Sequence, residues 1–539
     1  MASLPSEPPR SAKRAPRPLV LGVFEEEGVG SNEFASLFGD LSGGDQPREP
    51  EWRVHDRTHL EFAIDYRIGA QAADADVPQR FEWDAYFFVP ESLRLHDQTY
   101  EKNEIYEDLQ SYVRFTVPSM PFESLAGEPV AKLRAALGAG GDTDAALREL
   151  RFFACLVRAS SGAARRRILG LLRELPESAP AIAEASQRLV QGSARVVAAF
   201  RGVLDAVAPT DPALKEACTW IDEDISRALE ALLGSLAIGL REAGVDERIV
   251  AMIAAGAVDE AKLRAARGLR GVGHASVDER EIEHLEFRRH VLKRFTSSVL
   301  WLTLEVRAGA RWALELLYAV AASVAMGFAF VLAMLQGNAA LTPTTAGNLW
   351  TGALLVVLAY AAKDRIKAAL QGTFSRVVQK HFPDRRWRIL DREREVRLGE
   401  VEERSAFLPF TGVPKEALAV RRMTRAHSFE ESARPERVLW HHKTVIVHGK
   451  RVTAADARFT ALTEIFRLNL RRWLDHTDDP SRKIVFADPD DRQIYSVVAP
   501  RVYNIAIVYR LRAGGVESPW HRIRVVVSRK GIRRIEHVC

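Results

Sequence analysis

At 539 residues and 60.1 kDa the chain is too long for one ordinary domain, and its 47% hydrophobic and 27% charged composition is that of a folded protein of about three or four units. A formal net charge of +5 is far below what a dedicated nucleic-acid binder carries, and a mean hydropathy of −0.13 excludes a transporter built mostly of membrane spans. Cys155, Cys218 and Cys539 are few, odd in number and without CxxC spacing, which argues against a disulfide or zinc scaffold and fits reduced thiols in a reducing compartment.

The first residues, 1–48, are rich in Pro, Glu, Gly and Ser and are expected to form a disordered tail. Their longest apolar run, in PRPLVLGVF, is shorter than the core of a signal peptide, so the N-terminus is expected to stay inside the cell. Residues 49–125 form a β-rich α+β segment. In HLEFAIDYRI, Leu60, Phe62, Ile64, Tyr66 and Ile68 alternate with polar or small residues, the pattern of a half-buried strand. RFEWDAYFFVP and SYVRFTVP read as two further strands, with a helix around NEIYEDLQ between them.

Residues 126–277 are rich in Ala, Leu and Arg at helical periods, which predicts a helical bundle with Asp142, Ser178 and Asp211 as helix caps. Arg165, Arg166 and Arg167 read as a solvated helix face rather than a phosphate contact. From 278 to 311, Ile282, Leu285, Leu292, Phe295, Val299, Leu302 and Val306 recur at three- and four-residue steps and predict one long juxtamembrane stalk helix.

No charged residue occurs between Leu316 and Ala362, where the composition of the chain would place about 13. The expectation is a hairpin of two transmembrane helices, 312–336 and 346–362, joined by an external turn at 337–345 and followed by a second stalk helix at 363–383. Lys and Arg flank both sides of this hairpin and are absent from its turn, which places the N- and C-terminal domains in the cytoplasm. Ala321, Ala325, Ala329 and Ala333 form a small-residue stripe that suits close packing within the hairpin or oligomerisation.

Residues 384–539 read as a C-terminal α+β domain. Its strands are VLWHHKTVIVHG, KIVFA, IYSVV, VYNIAIVYRLR and HRIRVVVSRKGIRRIEHV, with a helix over ADARFTALTEIFRLNLRRWLDH. Because the hairpin returns the chain to the same side, the two β-rich ends could share a sheet. The fold class expected is thus an α+β membrane protein with a cytoplasmic helical bundle and stalk, one two-helix transmembrane hairpin, and β-rich segments at both ends.

Candidate sites are sparse. His441, His442 and His448 are the densest histidine group, but on a strand neighbouring residues face opposite sides, which leaves His442 and His448 together and far apart. Asp488, Asp490 and Asp491 lack the glycine and distal glutamate of a calcium loop and read as a hairpin turn. His476 with Asp475, Asp478 and Asp479 fits a helix C-terminus. Arg522, Arg524, Arg529, Lys530, Arg533 and Arg534 make a basic stretch that reads as a solvated sheet face, with anionic lipid headgroups as the alternative partner. No GxxxxGK, HExxH or GxSxG motif occurs, so no catalytic, cofactor or metal residue is assigned.

FFVPESL, the following TY, IYEDLQSYVRFTVPS and YAAKDRIKAAL resemble a group of bacterial membrane proteins without an assigned activity. The resemblance covers about a third of the chain, implies a bacterial inner membrane, and carries over no catalytic residues. The function expected is that of a membrane-anchored cytoplasmic sensor, scaffold or assembly factor. The alternatives are an unrecognised enzyme acting on lipid or phosphate and an oligomeric pore-forming effector. The expected partners are a lipid bilayer and either another protein or further copies of the chain; nucleic acid is not favoured.

Overall fold

The computed structural model describes residues 51–538 apart from 69–76, 119, 139–141, 173–177, 208, 210, 270–277, 308–310, 340–346, 424–434 and 491. The tail expected over 1–48, most of the turn at 337–345, Asp491 and Cys539 lie outside the described residues.

The N-terminal strands are β1 (Glu51–Val54), β2 (His59–Arg67), β3 (Gln79–Pro90) and β4 (Leu109–Phe115), with helix α1 (Lys102–Asp108) before β4. A central helical region follows, made of α2 (Glu128–Gly138), α3 (Thr143–Leu171), α4 (Ala179–Val207), α5 (Pro212–Glu242), α6 (Glu247–Ala266) and α7 (Glu279–Ser297). Asp142 and Asp211 cap α3 and α5 by accepting from Ala145 N and Ala213 N. After strand β5 (Thr303–Arg307) come two long helices, α8 (Arg311–Ala339) and α9 (Gly347–His381).

The C-terminal elements are β6 (Arg385–Asp391), β7 (Val396–Leu408), α10 (Lys415–Arg422), β8 (Glu436–Val447), α11 (Gly449–Ala455), β9 (Ala461–Asn469), α12 (Arg471–Leu474), β10 (Ser481–Ala487), β11 (Ile494–Pro500), β12 (Tyr503–Ala513), β13 (Val516–Glu517), β14 (His521–Ser528) and β15 (Gly531–Val538). The strands form a four-stranded sheet in the order β1-β2-β9-β4 and a nine-stranded sheet in the order β15-β14-β12-β3-β8-β7-β6-β5, with β13 beside β12. A separate two-stranded ribbon is made by β10 and β11. The two ends of the chain therefore share both large sheets: β2 pairs with β9, and β3 lies between β8 and β12.

Strand alternation explains how the sheets stack. On β3, Trp83, Ala85, Phe87 and Val89 enter the main core with Phe62, Phe466 and Trp473, while Tyr86 and Phe88 enter a smaller core with Val438, Val508 and Ala417 of α10. The helical region joins the main core through the stacked rings of Phe115 and Phe459, with Phe152 of α3 edge-on to Phe459. A bidentate pair from Arg458 to Glu149, 2.8 Å at each contact, ties the same junction. At Gly531, which opens β15 with φ +127°, an added Cβ would lie 2.2 Å from Arg57 O; this close approach lets Ile532 N donate to Arg57 O and joins the edge of one sheet to a turn of the other.

Three expectations are corrected. The transmembrane pair 312–336 and 346–362, and with it the bacterial inner-membrane location, is overturned: among the described residues no helix is long and apolar enough to cross a membrane. Helix α8 carries Glu315 within its first turns, and α9 carries Lys363, Asp364, Arg365 and Lys367. The stalk over 278–311 is not one helix. It ends at Ser297, and the chain then pairs Thr303–Arg307 with Leu390–Arg386 as the edge strand of the larger sheet. The C-terminal helix over ADARFTALTEIFRLNLRRWLDH is strand β9 followed by the short α12, because Ala461, Leu462, Thr463, Glu464, Ile465 and Phe466 are all buried between β2 and β4.

Candidate functional site

The inward face of β8 carries Leu439, His441, Lys443, Val445 and Val447, so a lysine and a histidine enter the space between the two large sheets. Lys443 is fully buried, with Nζ 2.7 Å from Glu403 on β7, 2.5 Å from Glu464 on β9 and 2.6 Å from Ser111 on β4. Tyr66 on β2 donates to the other oxygen of Glu464 at 2.5 Å, and Trp387 on β6 donates to Glu403 at 3.1 Å. Burial works against the ammonium, but the carboxylates of Glu403 and Glu464 outweigh it and hold the Lys443 pKa above its usual value. Burial, reinforced by Glu464, pushes the Tyr66 phenol well above its usual value, so it stays a donor.

Beside this cluster Ser405 Oγ and His441 Nδ1 share a hydrogen bond of 2.8 Å, the pairing of a nucleophile with a base. Its surroundings do not suit catalysis. Ser405 is 1% exposed and His441 0%, and the rings of Trp83, Tyr106 and Phe466 lie 5.1, 6.5 and 5.4 Å from the imidazole. His441 Nε2 has no partner among the described residues, so no carboxylate orients the ring. Burial, then the charge of Lys443, holds the imidazole pKa well below its usual value. Asp384 braces the serine's strand by accepting from Ser405 N and Tyr106 Oη, both at 2.9 Å.

The residues singled out in the sequence are spread apart. His442 faces away from His441 and meets Asp84 at 2.8 Å, where Trp440 donates at 3.2 Å. Burial opposes ionisation of Asp84, yet the bond from His442, then Trp440 and Arg512, brings its pKa below the usual carboxylate value. His448 lies at the far end of β8, where its carbonyl accepts from Arg451 N and Val452 N. Among the described residues no group of His, Cys, Asp or Glu could hold a metal ion. Asp488 accepts from Asp490 N at 2.9 Å in the β10–β11 turn. His476 is exposed just beyond α12, while Asp478 and Asp479 pair with Arg501 and Arg529 at 3.2 and 3.4 Å.

The basic stretch is largely balanced within the fold. Arg524 and Arg534 both pair with Glu536, and Arg522 is buried, its pKa lowered to about 10 by burial and by Arg421 and Arg524. In the helical region Asp222, Glu223 and Asp224 are consecutive buried acids on α5, and each meets arginine from elsewhere. Arg201 of α4 reaches Asp222 at 2.8 Å, Arg288 of α7 reaches Glu223 at 2.8 Å, and Arg158 of α3 reaches Asp224 with its Nε at 3.1 Å. Sequence reasoning missed these acids and Lys443. The available signal is a lysine in the same register as Leu439, Val445 and Val447 of β8.

A half-open cleft of about 540 Å³ lies between α3, α4 and the turn at Phe122, walled by Ala163, Ala164 and Ala185. Ser160 Oγ accepts there from Met120 N at 3.3 Å and Glu184 accepts from Arg188 at 2.5 Å, and Glu123 and Arg167 also line the cleft.

The larger anomaly is the arm formed by α8 and α9. The two helices pack on each other, with Ala321 and Ala325 buried, so these small residues serve packing within the pair. Outside that seam Val324, Met326, Phe330, Val331 and Met334 of α8 are 51–63% exposed, and Leu354, Val357, Leu358 and Tyr360 of α9 are 58–65% exposed. An apolar surface of this extent marks an interaction site. No protein-family model, curated protein or solved structure matches the chain.

Proposed function

We propose that the chain is a non-catalytic scaffold or sensor that works by binding another protein along the α8–α9 arm. The observation that carries this reading is the row of large apolar side chains left in solvent on both helices, while the ionisable groups of the interior are spent on one another. A partner offering an apolar helix face fits such an arm, because side chains at three- and four-residue steps present parallel ridges. Of the alternatives, the enzyme is less supported: the Ser405–His441 pair is sealed from solvent, and among the described residues the α3–α4 cleft brings together no nucleophile with a base.

The test is co-purification of the full chain from mild detergent, identification of the captured protein by mass spectrometry, and reconstitution with that protein in purified form. Replacing Val324, Phe330 and Val331 by serine removes apolar contacts worth about 1 kcal/mol or more each and is expected to weaken binding at least about tenfold. Two results would overturn the reading: affinity unchanged by these substitutions, or turnover of a nucleotide, lipid or peptide by the purified chain alone.

A further inference from the structure

Among the described residues the ribbon of β10 and β11 pairs with no other strand. Ile484 stands opposite Val497 and Phe486 opposite Tyr495 on one face, and Val485 opposite Ser496 and Lys483 opposite Val498 on the other. Ile484, Val485, Phe486, Ile494, Val497 and Val498 are 47–77% exposed, so both faces of the ribbon are apolar and open. A two-stranded ribbon is marginal in water by itself, and an exposed apolar strand edge is a template for pairing. The edge of β11 is blunted by Pro500, whereas Ser481–Ala487 contains no proline and leaves β10 able to extend the sheet.

The charges identify the strand that fits. At the root of β10, Arg482 and Lys483 have no ion-pair partner among the described residues, since the neighbouring acids Asp478 and Asp479 are taken by Arg501 and Arg529. At the tip, the connecting sequence DPDDRQ carries three aspartates against one arginine. In an antiparallel pair the root of one strand meets the tip of the other, so two copies of β10 are complementary in charge about a two-fold axis. With Val485 on that axis, Arg482 faces Asp488 of the second copy and lies diagonal to its Asp490, within reach of a long side chain.

We propose that β10 pairs edge to edge and antiparallel with β10 of a second copy of this chain, turning two ribbons into one four-stranded sheet. Ile484, Phe486, Tyr495 and Val497 of both copies then form one continuous apolar face. This interface is separate from the arm and stands or falls independently of it.

A charge exchange tests the pairing in the full chain by sedimentation velocity in mild detergent. One variant carries Arg482→Glu and Lys483→Glu; the other carries Asp488→Asn, which keeps the oxygen that accepts from Asp490 N, together with Asp490→Lys. Each variant alone brings like charges together at both ends and is expected to self-associate at least about tenfold more weakly than the parent. An equimolar mixture restores opposite charges at both ends and is expected to recover association to within about threefold of the parent, which a misfolded variant would not do. A monomeric parent, variants that associate like the parent, or a mixture no better than its components would each overturn the proposal; unchanged variants in an associating parent would assign association to another surface.

Discussion

Replacing Lys443 by methionine keeps much of the side-chain volume between the sheets and deletes one charge. The ammonium lies 2.7 Å from Glu403 and 2.5 Å from Glu464, and at an effective dielectric near 20 each contact carries about 6 kcal/mol of gross attraction. Burying the ammonium cancels part of this. The substitution also leaves two carboxylates, 6% and 1% exposed, without their cation, so the expected net loss is about 3–5 kcal/mol. Because the Lys443 pKa is raised by folding, its contribution is complete below the unfolded value of about 10.4 and is lost as pH rises through the higher folded value. Urea unfolding followed by tryptophan fluorescence at pH 7.5 measures the loss. Adding Glu403→Gln and Glu464→Gln to the Lys443→Met chain removes the orphaned charges and is expected to recover most of it. A Lys443→Met chain within about 1 kcal/mol of the parent, or a triple variant no more stable than the single one, would refute the reasoning.

Two further outcomes are expected. The His441 pKa is depressed by folding, so as pH falls below about 6.5 the unfolded chain takes up a proton that the native chain refuses, and stability declines by up to about 1.4 kcal/mol per pH unit. His441→Gln should remove that part of the slope between pH 7.5 and 5, and equal slopes in urea titrations of parent and variant would contradict it. Burial pushes the Cys155 thiol up to about 12 and the Cys218 thiol up to about 11, so a thiol reagent at pH 8 should label neither in the native protein and both in urea, as read by peptide mass spectrometry. Rapid native labelling at Cys155 would show that the contact between α3 and α7 opens readily.

Much of the local structure was legible because its signals were local. The alternation of Leu60, Phe62, Ile64 and Tyr66 gave a strand, and Asp142 and Asp211 gave helix starts, without reference to any partner. The failures lie where distant residues decide. FTALTEIFRLN has an acceptable helical period, but its pairing with β2 and β4 buries both faces, and those strands stand hundreds of positions away. The stripe from Ile282 to Val306 was real only in its first part: Leu292 is buried, whereas beyond Ser297 the sequence LTLEV answers to β6. Between 316 and 362 the lack of charge predicts membrane spans, yet among the described residues no helix is long and apolar enough to cross a membrane, and large apolar side chains there stand exposed on a packed helix pair. The polar cluster was the least legible, since Glu403, Lys443 and Glu464 come from three strands and become one group only when the sheets stack.

The interleaving of the two chain ends sets an order of events during synthesis. Tyr66 and its hydrogen-bond partner Glu464 are 398 positions apart, and at about 5–20 residues per second the ribosome needs roughly 20–80 s to travel between them. Throughout that interval β2 has β1 beside it but lacks β9, and β3 lacks both β8 and β12, while the helices of the central region already have their neighbours. Their aromatic rows, Phe62 and Tyr66 on one and Trp83 and Phe87 on the other, must be held or shielded until the last third of the polypeptide arrives. A truncated message would thus yield a chain whose helices have formed and whose sheets cannot, a natural substrate for chaperones and quality-control proteases.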